Sequence, residues 1–417
     1  MAGTTEPAET TPLVPQEEIL PPPAPALSLF ARLRSFFSNW SLYLRTFLRH
    51  YTIGPPHRQW PFQLHLTLNT IRSYMPRTKP AVPPTISQLI TQVQGQRANE
   101  PNMALKIEDM DPRVQVTEWE VTREDYARMG IWKGPRELDG LLNWEGKLKG
   151  EWHTLKNVFG ERVHPIERVK NGPVVLYIHG GAYWTLSPAT HRNLTQRIAI
   201  DCNASVLSIA YRLAPEHPFP HGLQDSLIAY TYLTKTLQIS PSRIIFMGDS
   251  AGAGLAMSTM VYLAQHGQSV GLQMPAGAAL WSPWLDITCT SGPSCYAYNG
   301  DYLIPGCLDD PARAYAGVVD QKYPLLSTLY ADLKGLPPIL AQTGSIDLLH
   351  SDSVVLHEKL AKLAQPHTVQ VYSAMPHTWV GWEYLPEAQR AWKELKIWVE
   401  ALFAGQVKNE GLVVIGE

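Results

Sequence analysis

The sequence predicts an α/β fold with a mostly parallel central sheet flanked by helices and an N-terminal helical cap. Three observations predict it. From about Glu151 onward, short apolar and β-branched runs alternate with helical patterns of roughly 12–18 residues. The pentapeptide Gly248-Asp249-Ser250-Ala251-Gly252 sits where one apolar run gives way to a helical pattern. Residues 19–99 have a different character, being aromatic, rich in proline and free of Asp and Glu.

The strand-like runs are Val174–Ile178, Ser205–Tyr211, Ile244–Met247, Ala278–Trp281, Pro338–Ala341 and Thr368–Val371. Helices are expected at Thr190–Asp201, Gly222–Leu237, Ala251–His266, Ser351–Ala364 and Pro386–Phe403. Strands that alternate with helices make parallel sheets covered on both faces, and their strands read as continuous apolar runs. Residues 286–335 interrupt this rhythm with a loop-rich stretch that can supply part of a cap. The expected organisation is a disordered tail at 1–26, a helical cap or amphipathic region at 27–150 and an α/β domain at 151–405. The insertion lies at 286–335, and a C-terminal tail at 406–417 closes the chain.

Composition narrows the class. With 45% hydrophobic and 17% charged residues, the chain can bury a sizeable core. A formal net charge of −2 offers no global field for nucleic acid. Cys202, Cys289, Cys295 and Cys307 lack CxxC spacing, so free thiols are expected and neither a disulfide framework nor a structural zinc site is. Seven of the 35 prolines fall in the first 26 positions, together with Glu6, Glu9, Glu17 and Glu18. That acidic start argues against a secretory or mitochondrial leader, and no apolar run is long enough to span a bilayer. The expected location is therefore intracellular, cytoplasmic or peripheral to an internal membrane.

Between Ile19 and Asn99 there are nine Lys or Arg residues and no Asp or Glu. Here Leu29, Leu33, Phe36, Trp40, Leu44, Phe47 and Tyr51 recur at helical steps, while Arg32, Arg45 and Arg49 fall away from that stripe. Two readings compete. The helix packs its aromatic face over the α/β domain, or residues 27–51 lie on an anionic membrane surface. A second helix is expected at Trp60–Tyr74.

Gly248 to Gly252 follows the run Ile244–Met247 directly and opens the next helix, the setting of a nucleophile elbow. A turn that sharp tolerates little side chain two residues either side of the serine, hence the glycines. The second motif is His179-Gly180-Gly181-Ala182-Tyr183-Trp184, at the end of the run Val174–Ile178. Gly180, Gly181 and Ala182, with the amide of Ala251, are candidates for an oxyanion hole. His377 lies in a loop just past the run Thr368–Val371, at the edge where open α/β sheets hold their sites. His350, His357 and His367 fit less well. Asp347 follows the run Pro338–Ala341, with Asp352 and Asp286 as alternatives. Ser250, Asp347 and His377 thus form a candidate triad in the chain order Ser, Asp, His, a set that permits covalent acyl transfer.

These blocks, with YRLAPEHPFP at 211–220, GDSAGAGLA at 248–256 and LWSPWLD at 280–286, resemble the hormone-sensitive-lipase-like group of α/β-hydrolases. The N-terminal half resembles the cap-bearing, fungal-type and microsomal deacetylase-like members. The resemblance implies an esterase, lipase or deacetylase acting on a small hydrophobic ester, without metal or cofactor. It also implies that the hole amides are those of Gly181, Ala182 and Ala251, with Gly180 shaping the loop. Ala182 departs from the third glycine of many members but keeps its N–H. Arg212 is expected to be a scaffold ion-pair residue. Tyr183, Trp184, Trp281 and Trp284, near the strand ends, are either the lining of an apolar pocket or core aromatics. The alternative functions are a non-catalytic ligand receptor on the same fold, which usually lacks a triad member, and an amidase using the same triad.

Overall fold

In the computed structural model, the run Val174–Ile178 is a fully buried strand whose side chains serve two cores. Val174, Leu176 and Ile178 join one cluster, while Val175 and Tyr177 join another on the opposite face. The structure describes residues 29–74, 83–133, 136–169, 172–297 and 300–416. The expected tail at 1–26 lies outside them, as do the side chains of Leu29, Leu33 and Phe36 from the expected stripe.

Helices α1 (Leu29–Thr52), α2 (Phe62–Tyr74) and α3 (Ile86–Arg97) come first. Strand β1 (Val114–Thr122), short helices α4 (Arg123–Arg128) and α5 (Arg136–Asp139), and β2 (Lys147–Leu155) follow. Next come α6 (Pro165–Val169), β3 (Val174–Ile178), α7 (Arg192–Asp201), β4 (Ser205–Ala210) and α8 (His221–Thr231). After them lie β5 (Ile244–Asp249), α9 (Ala251–Val270), β6 (Gly277–Trp281), α10 (Asp309–Ala316) and β7 (Ile339–Gly344). The chain closes with α11 (His350–Lys362), β8 (His367–Tyr372), α12 (Pro386–Phe403) and β9 (Gly411–Ile415).

The nine strands form one sheet in the order β1-β2-β4-β3-β5-β6-β7-β8-β9. Strands β1 and β2, and β2 and β4, pair antiparallel, and every later pair is parallel. Helices α8, α9 and α11 pack on one face, and α7 and α12 on the other, joined there by Leu64 and Leu68 of α2. All six runs expected as strands are strands, with small shifts at their ends, and all four cysteines are free. This is the expected mostly parallel α/β sheet with N-terminal helices ahead of it.

Two boundaries differ from the sequence reading. The sheet begins at Val114, not near Glu151, because β1 and β2 form an antiparallel edge hairpin. Its outer face is solvated and carries Glu118 and Glu120, so it lacks the continuous apolar signature of the buried strands. Residues 406–417 are not simply a tail either. Gly411–Ile415 pairs with Thr368–Tyr372 as the last parallel strand, and its alternating exposure is that of an edge.

The N-terminal helices attach at defined points. Thr85 and Gln88 form a capping box that starts α3, and Leu89 and Val93 bury its inner side. From the end of α3, Arg97 donates to the carbonyls of Trp184 (2.9 Å) and Ala214 (2.7 Å). Just ahead of α2, Trp60 donates through Nε1 to the Ala374 carbonyl at 2.7 Å. Within α2, Arg72 donates through Nε to the Asp301 carbonyl at 2.7 Å.

Arg212 is a scaffold residue in this fold. It reaches the fully buried Asp225 at 2.9 Å, and Arg123 reaches the same carboxylate at 2.8 Å. Removing a buried counter-charge strands its partners in low dielectric. Asp225→Ala is therefore expected to lower the unfolding free energy by about 3–5 kcal/mol in urea titration, whereas a loss below about 1 kcal/mol, as for a surface pair, contradicts the buried assignment.

Candidate active site

Strand β5 passes into α9 through Ser250, whose backbone sits at φ 53° and ψ −122°. A side chain is strained there, and the surroundings must hold it in place. The Ser250 N–H donates to the Trp281 carbonyl at 2.8 Å, and its carbonyl accepts the N–H groups of Gly254 and Trp284, each at 3.1 Å. The flanking glycines are required by contact. A Cβ on Gly252 would stand 2.0 Å from the Ile178 carbonyl oxygen, and one on Gly248 would stand 2.6 Å from the same atom. The close approach of β5 and α9 to the end of β3 is what turns the serine out of the strand.

Across the sheet, the loops after β7 and β8 bring Asp347 and His377 to that serine. His377 Nε2 lies 2.9 Å from Ser250 Oγ, and Nδ1 lies 3.0 Å from Asp347 Oδ1. All three side chains are buried. Burial alone would raise the Asp347 carboxyl, but the His377 imidazole outweighs it and holds the group below its usual range. Burial likewise disfavours a charged His377, yet Asp347, and behind it Asp301, lift the imidazole above its ordinary value. An ionised carboxylate only accepts hydrogen bonds, so Nδ1 carries the proton and Nε2 is left to accept from the serine hydroxyl.

Asp301 was not singled out from the sequence. It is buried, and one carboxylate oxygen accepts the N–H of Tyr302 (2.7 Å) and of His377 (3.1 Å). The other oxygen accepts the N–H of Leu348 at 2.8 Å. One carboxylate therefore ties the loop of His377 to that of Asp347. Burial, reinforced by the neighbouring Asp347 charge, pushes Asp301 up to about 7. Nothing in its local sequence marks it, because its partners are backbone groups from loops 47 and 76 positions away. Ser282 was missed for the same reason. Its hydroxyl accepts the Thr378 N–H at 2.9 Å.

The loop after β3 meets the serine from the other side. Gly180 does not offer its amide to the site, because that N–H donates to Asp249 Oδ1 at 3.1 Å. A side chain at Gly180 would meet the Asp249 carboxylate at 2.2 Å, so the glycine permits the contact. Asp249 also accepts the Tyr177 hydroxyl at 2.6 Å and faces His191 Nε2 at 3.4 Å. Burial pushes its carboxyl up, but His191 and the hydrogen bonds prevail and hold it at about 2. The second residue of the elbow motif, just before the serine, thus anchors the glycine loop, a role the motif alone does not reveal. Gly181 (φ 110°) and Ala182 (φ 55°) turn the next two amides away from regular structure. Among the described residues these amides reach no backbone acceptor. Ala251 opens α9, where helical N–H groups lack intrahelical partners.

The candidate pocket aromatics are core residues. Trp281 donates to Gln342 Oε1 at 2.7 Å and packs on Trp392, in the core beneath α12. Trp284 is fully buried and donates to the Asp286 carbonyl at 2.9 Å, while Tyr183 stacks on Tyr315 at 3.7 Å. Trp184 is also buried, beside the Arg97 contact. Position near a strand end does not fix the direction of a side chain, and these point into packing. The alternative acids and bases lie elsewhere. Asp352 accepts the N–H groups of Leu285 (2.6 Å) and Asp286 (2.9 Å), and Asp286 accepts from Thr288 and Thr290. His357 and His367 bond to each other at 2.9 Å, and His350 begins α11.

Comparison with known proteins agrees with this geometry. A profile of the alpha/beta hydrolase fold matches residues 175–381. The chain is 35% identical over 270 residues to an acetyl-hydrolase of Streptomyces hygroscopicus, covering 64% of this chain and 86% of that protein. It is 34% identical over 221 residues to an esterase of Acinetobacter venetianus, covering 52% and 71%. Among solved structures, an esterase from the bacterial hormone-sensitive lipase family superposes with a TM-score of 0.63 at 28% identity, covering 82% of this chain and 99% of that one. The chain belongs to the alpha/beta hydrolase fold family, among its hormone-sensitive-lipase-like members.

Proposed function

We propose that this chain is a serine carboxylic ester hydrolase that acts on small, uncharged acyl esters through an acyl-enzyme on Ser250. The observation that carries the reading is the continuous chain of hydrogen bonds from Ser250 Oγ through His377 to Asp347, at 2.9 and 3.0 Å. The names of its relatives, acetyl-hydrolase and esterase, favour acetyl and other short acyl groups.

As Ser250 Oγ attacks the ester carbonyl carbon, its proton passes to His377 Nε2. The carbonyl π electrons move to oxygen, where the amides of Gly181, Ala182 and Ala251 would receive the charge. Asp347 keeps the imidazole in its tautomer and stabilises the imidazolium. The C–O bond to the alcohol breaks as Nε2 returns the proton to the leaving oxygen. Water then repeats the sequence on the acyl-enzyme and releases the acid. A ligand receptor has no need of a complete Ser-His-Asp relay, which favours hydrolysis over that alternative.

A p-nitrophenyl ester panel tests the reading. Activity is expected to be highest on acetate to butyrate, and Ser250→Ala is expected to lower kcat by about 10⁴–10⁶. An unchanged rate in that variant removes the mechanism.

The pH dependence has a defined sign. Only neutral His377 accepts the serine proton, so kcat/KM falls as pH drops through its pKa. Asp347 and Asp301 raise that pKa, which places the acid limb above the ordinary histidine value. Asp301→Asn removes the charge of the ionised carboxylate and sets an NH2 against one of the backbone N–H groups that its two oxygens accept, so the limb is expected to move to lower pH with a loss in kcat. A limb that stays in place would exclude Asp301 as a positioning residue.

A further inference from the structure

We propose that the hairpin of α1 and α2 is a docking surface for an anionic phospholipid membrane. Within α1, Thr46 and His50 turn toward α2, and Phe62 of α2 packs against Tyr43 and Phe47 at ring distances of 5.6 and 5.8 Å. Most of the other described side chains of α1 are exposed. At about 100° per residue, Trp40, Leu44, Phe47, Leu48 and Tyr51 share an arc of about 100°. Trp40 is 53% exposed, Leu44 52%, Leu48 50% and Tyr51 63%, and Ile53 just beyond the helix is 82% exposed. The described residues of the aromatic stripe, Trp40, Leu44, Phe47 and Tyr51, are thus exposed.

Charge identifies the partner. Arg45 lies about 60° beyond Leu48 on the open side of the arc, Arg49 lies farther round, toward α2, and Arg58 follows on the exposed connection to α2. No Asp or Glu occurs between Ile19 and Asn99, so the segment carries cations without internal compensation. Beside the arc, Arg49, His57, His65, Asn69 and Arg72 line a cavity of about 380 Å³ that opens against Gly300. Burial, the largest cause, together with the nearby His50, Arg49 and Arg72, lowers the His65 imidazole to about 4, so this ring is neutral near pH 7 and adds no charge to the cavity. An exposed apolar and aromatic face with a cationic flank matches a surface of acyl chains topped by phosphate. Among the described residues no helix is long and apolar enough to cross a membrane, so the contact is interfacial. The apolar arc would enter the headgroup boundary, with the arginines of the segment facing the anionic lipid surface.

The surface is joined rigidly to the site. Trp60 and Arg72 bond to the carbonyls of Ala374 and Asp301, in the loops that carry and brace His377. Docking would therefore fix the catalytic domain against the bilayer.

Sedimentation of full-length protein with sucrose-loaded vesicles tests the proposal independently of ester hydrolysis. The protein is expected to pellet with phosphatidylcholine vesicles containing phosphatidylserine, to leave them as salt rises, and to ignore phosphatidylcholine alone. Arg45→Gln with Arg49→Gln is expected to weaken partitioning roughly thirtyfold, and Leu44→Glu with Leu48→Glu to abolish it. Both variants should retain hydrolysis of a soluble p-nitrophenyl ester. Should either fail to fold, quenching of tryptophan emission by lipids brominated along the acyl chain decides, since Trp40→Phe should remove it. Wild-type protein that stays in the supernatant with anionic vesicles at low salt overturns the proposal, as does quenching unchanged by Trp40→Phe. A dimer dissociated by Leu48→Glu, with no vesicle binding, assigns the face to a second copy of the chain and overturns it equally.

Discussion

The candidate site depends on the contact between the end of β3 and the start of α9. Gly252 lies so near the carbonyls of Ile178 and His179 that any side chain would overlap them. That closeness forces the chain at Ser250 into a left-handed turn, which three backbone hydrogen bonds then secure. The same contact sets the loop after β3 beside the serine, because Asp249 grips the amide of Gly180. One close approach thus positions both the nucleophile and the candidate oxyanion loop, and a parallel sheet packed on both faces supplies the rigidity to sustain it.

Electrostatics complete what packing begins. Three carboxylates, Asp249, Asp301 and Asp347, lie buried around the site, and each is tied to a different loop or histidine. Asp249 faces His191, Asp347 faces His377, and Asp301 accepts three backbone N–H groups. Burial would neutralise an isolated carboxylate. Here its cost is offset for two of them by a facing imidazole, and Asp301, the most weakly compensated, is the one pushed toward neutrality. Asp249 and Asp347 supply fixed charge, and all three carboxylates fix the geometry of the loops they hold.

Much of this was legible in the sequence, for a definable reason. Strands buried on both faces leave continuous apolar runs, and the elbow and the glycine loop are local motifs whose spacing follows from backbone geometry. The edge strand β1 was hidden because a solvated edge alternates and tolerates charge, while β9 is a short apolar run whose pairing with β8 has no local signal. Asp301 and Ser282 were hidden because their work is done on backbone groups distant in the chain. For the aromatics at 183, 184, 281 and 284 the sequence left two readings open. Their type suits a ligand pocket and a core equally well, and only the direction of each side chain separates the two.

The N-terminal helices do more than cover the sheet. Arg97 grips the loop after β3, while Trp60 and Arg72 grip the two segments that hold the imidazole. A protein braced in this way has an active centre that can fail before its scaffold does. On warming, detachment of the first hundred residues would slacken both walls of the cleft while the nine-stranded sheet stayed intact. Turnover would then vanish in a separate, earlier step than the loss of ellipticity, and inactivation would report the grip of a peripheral segment.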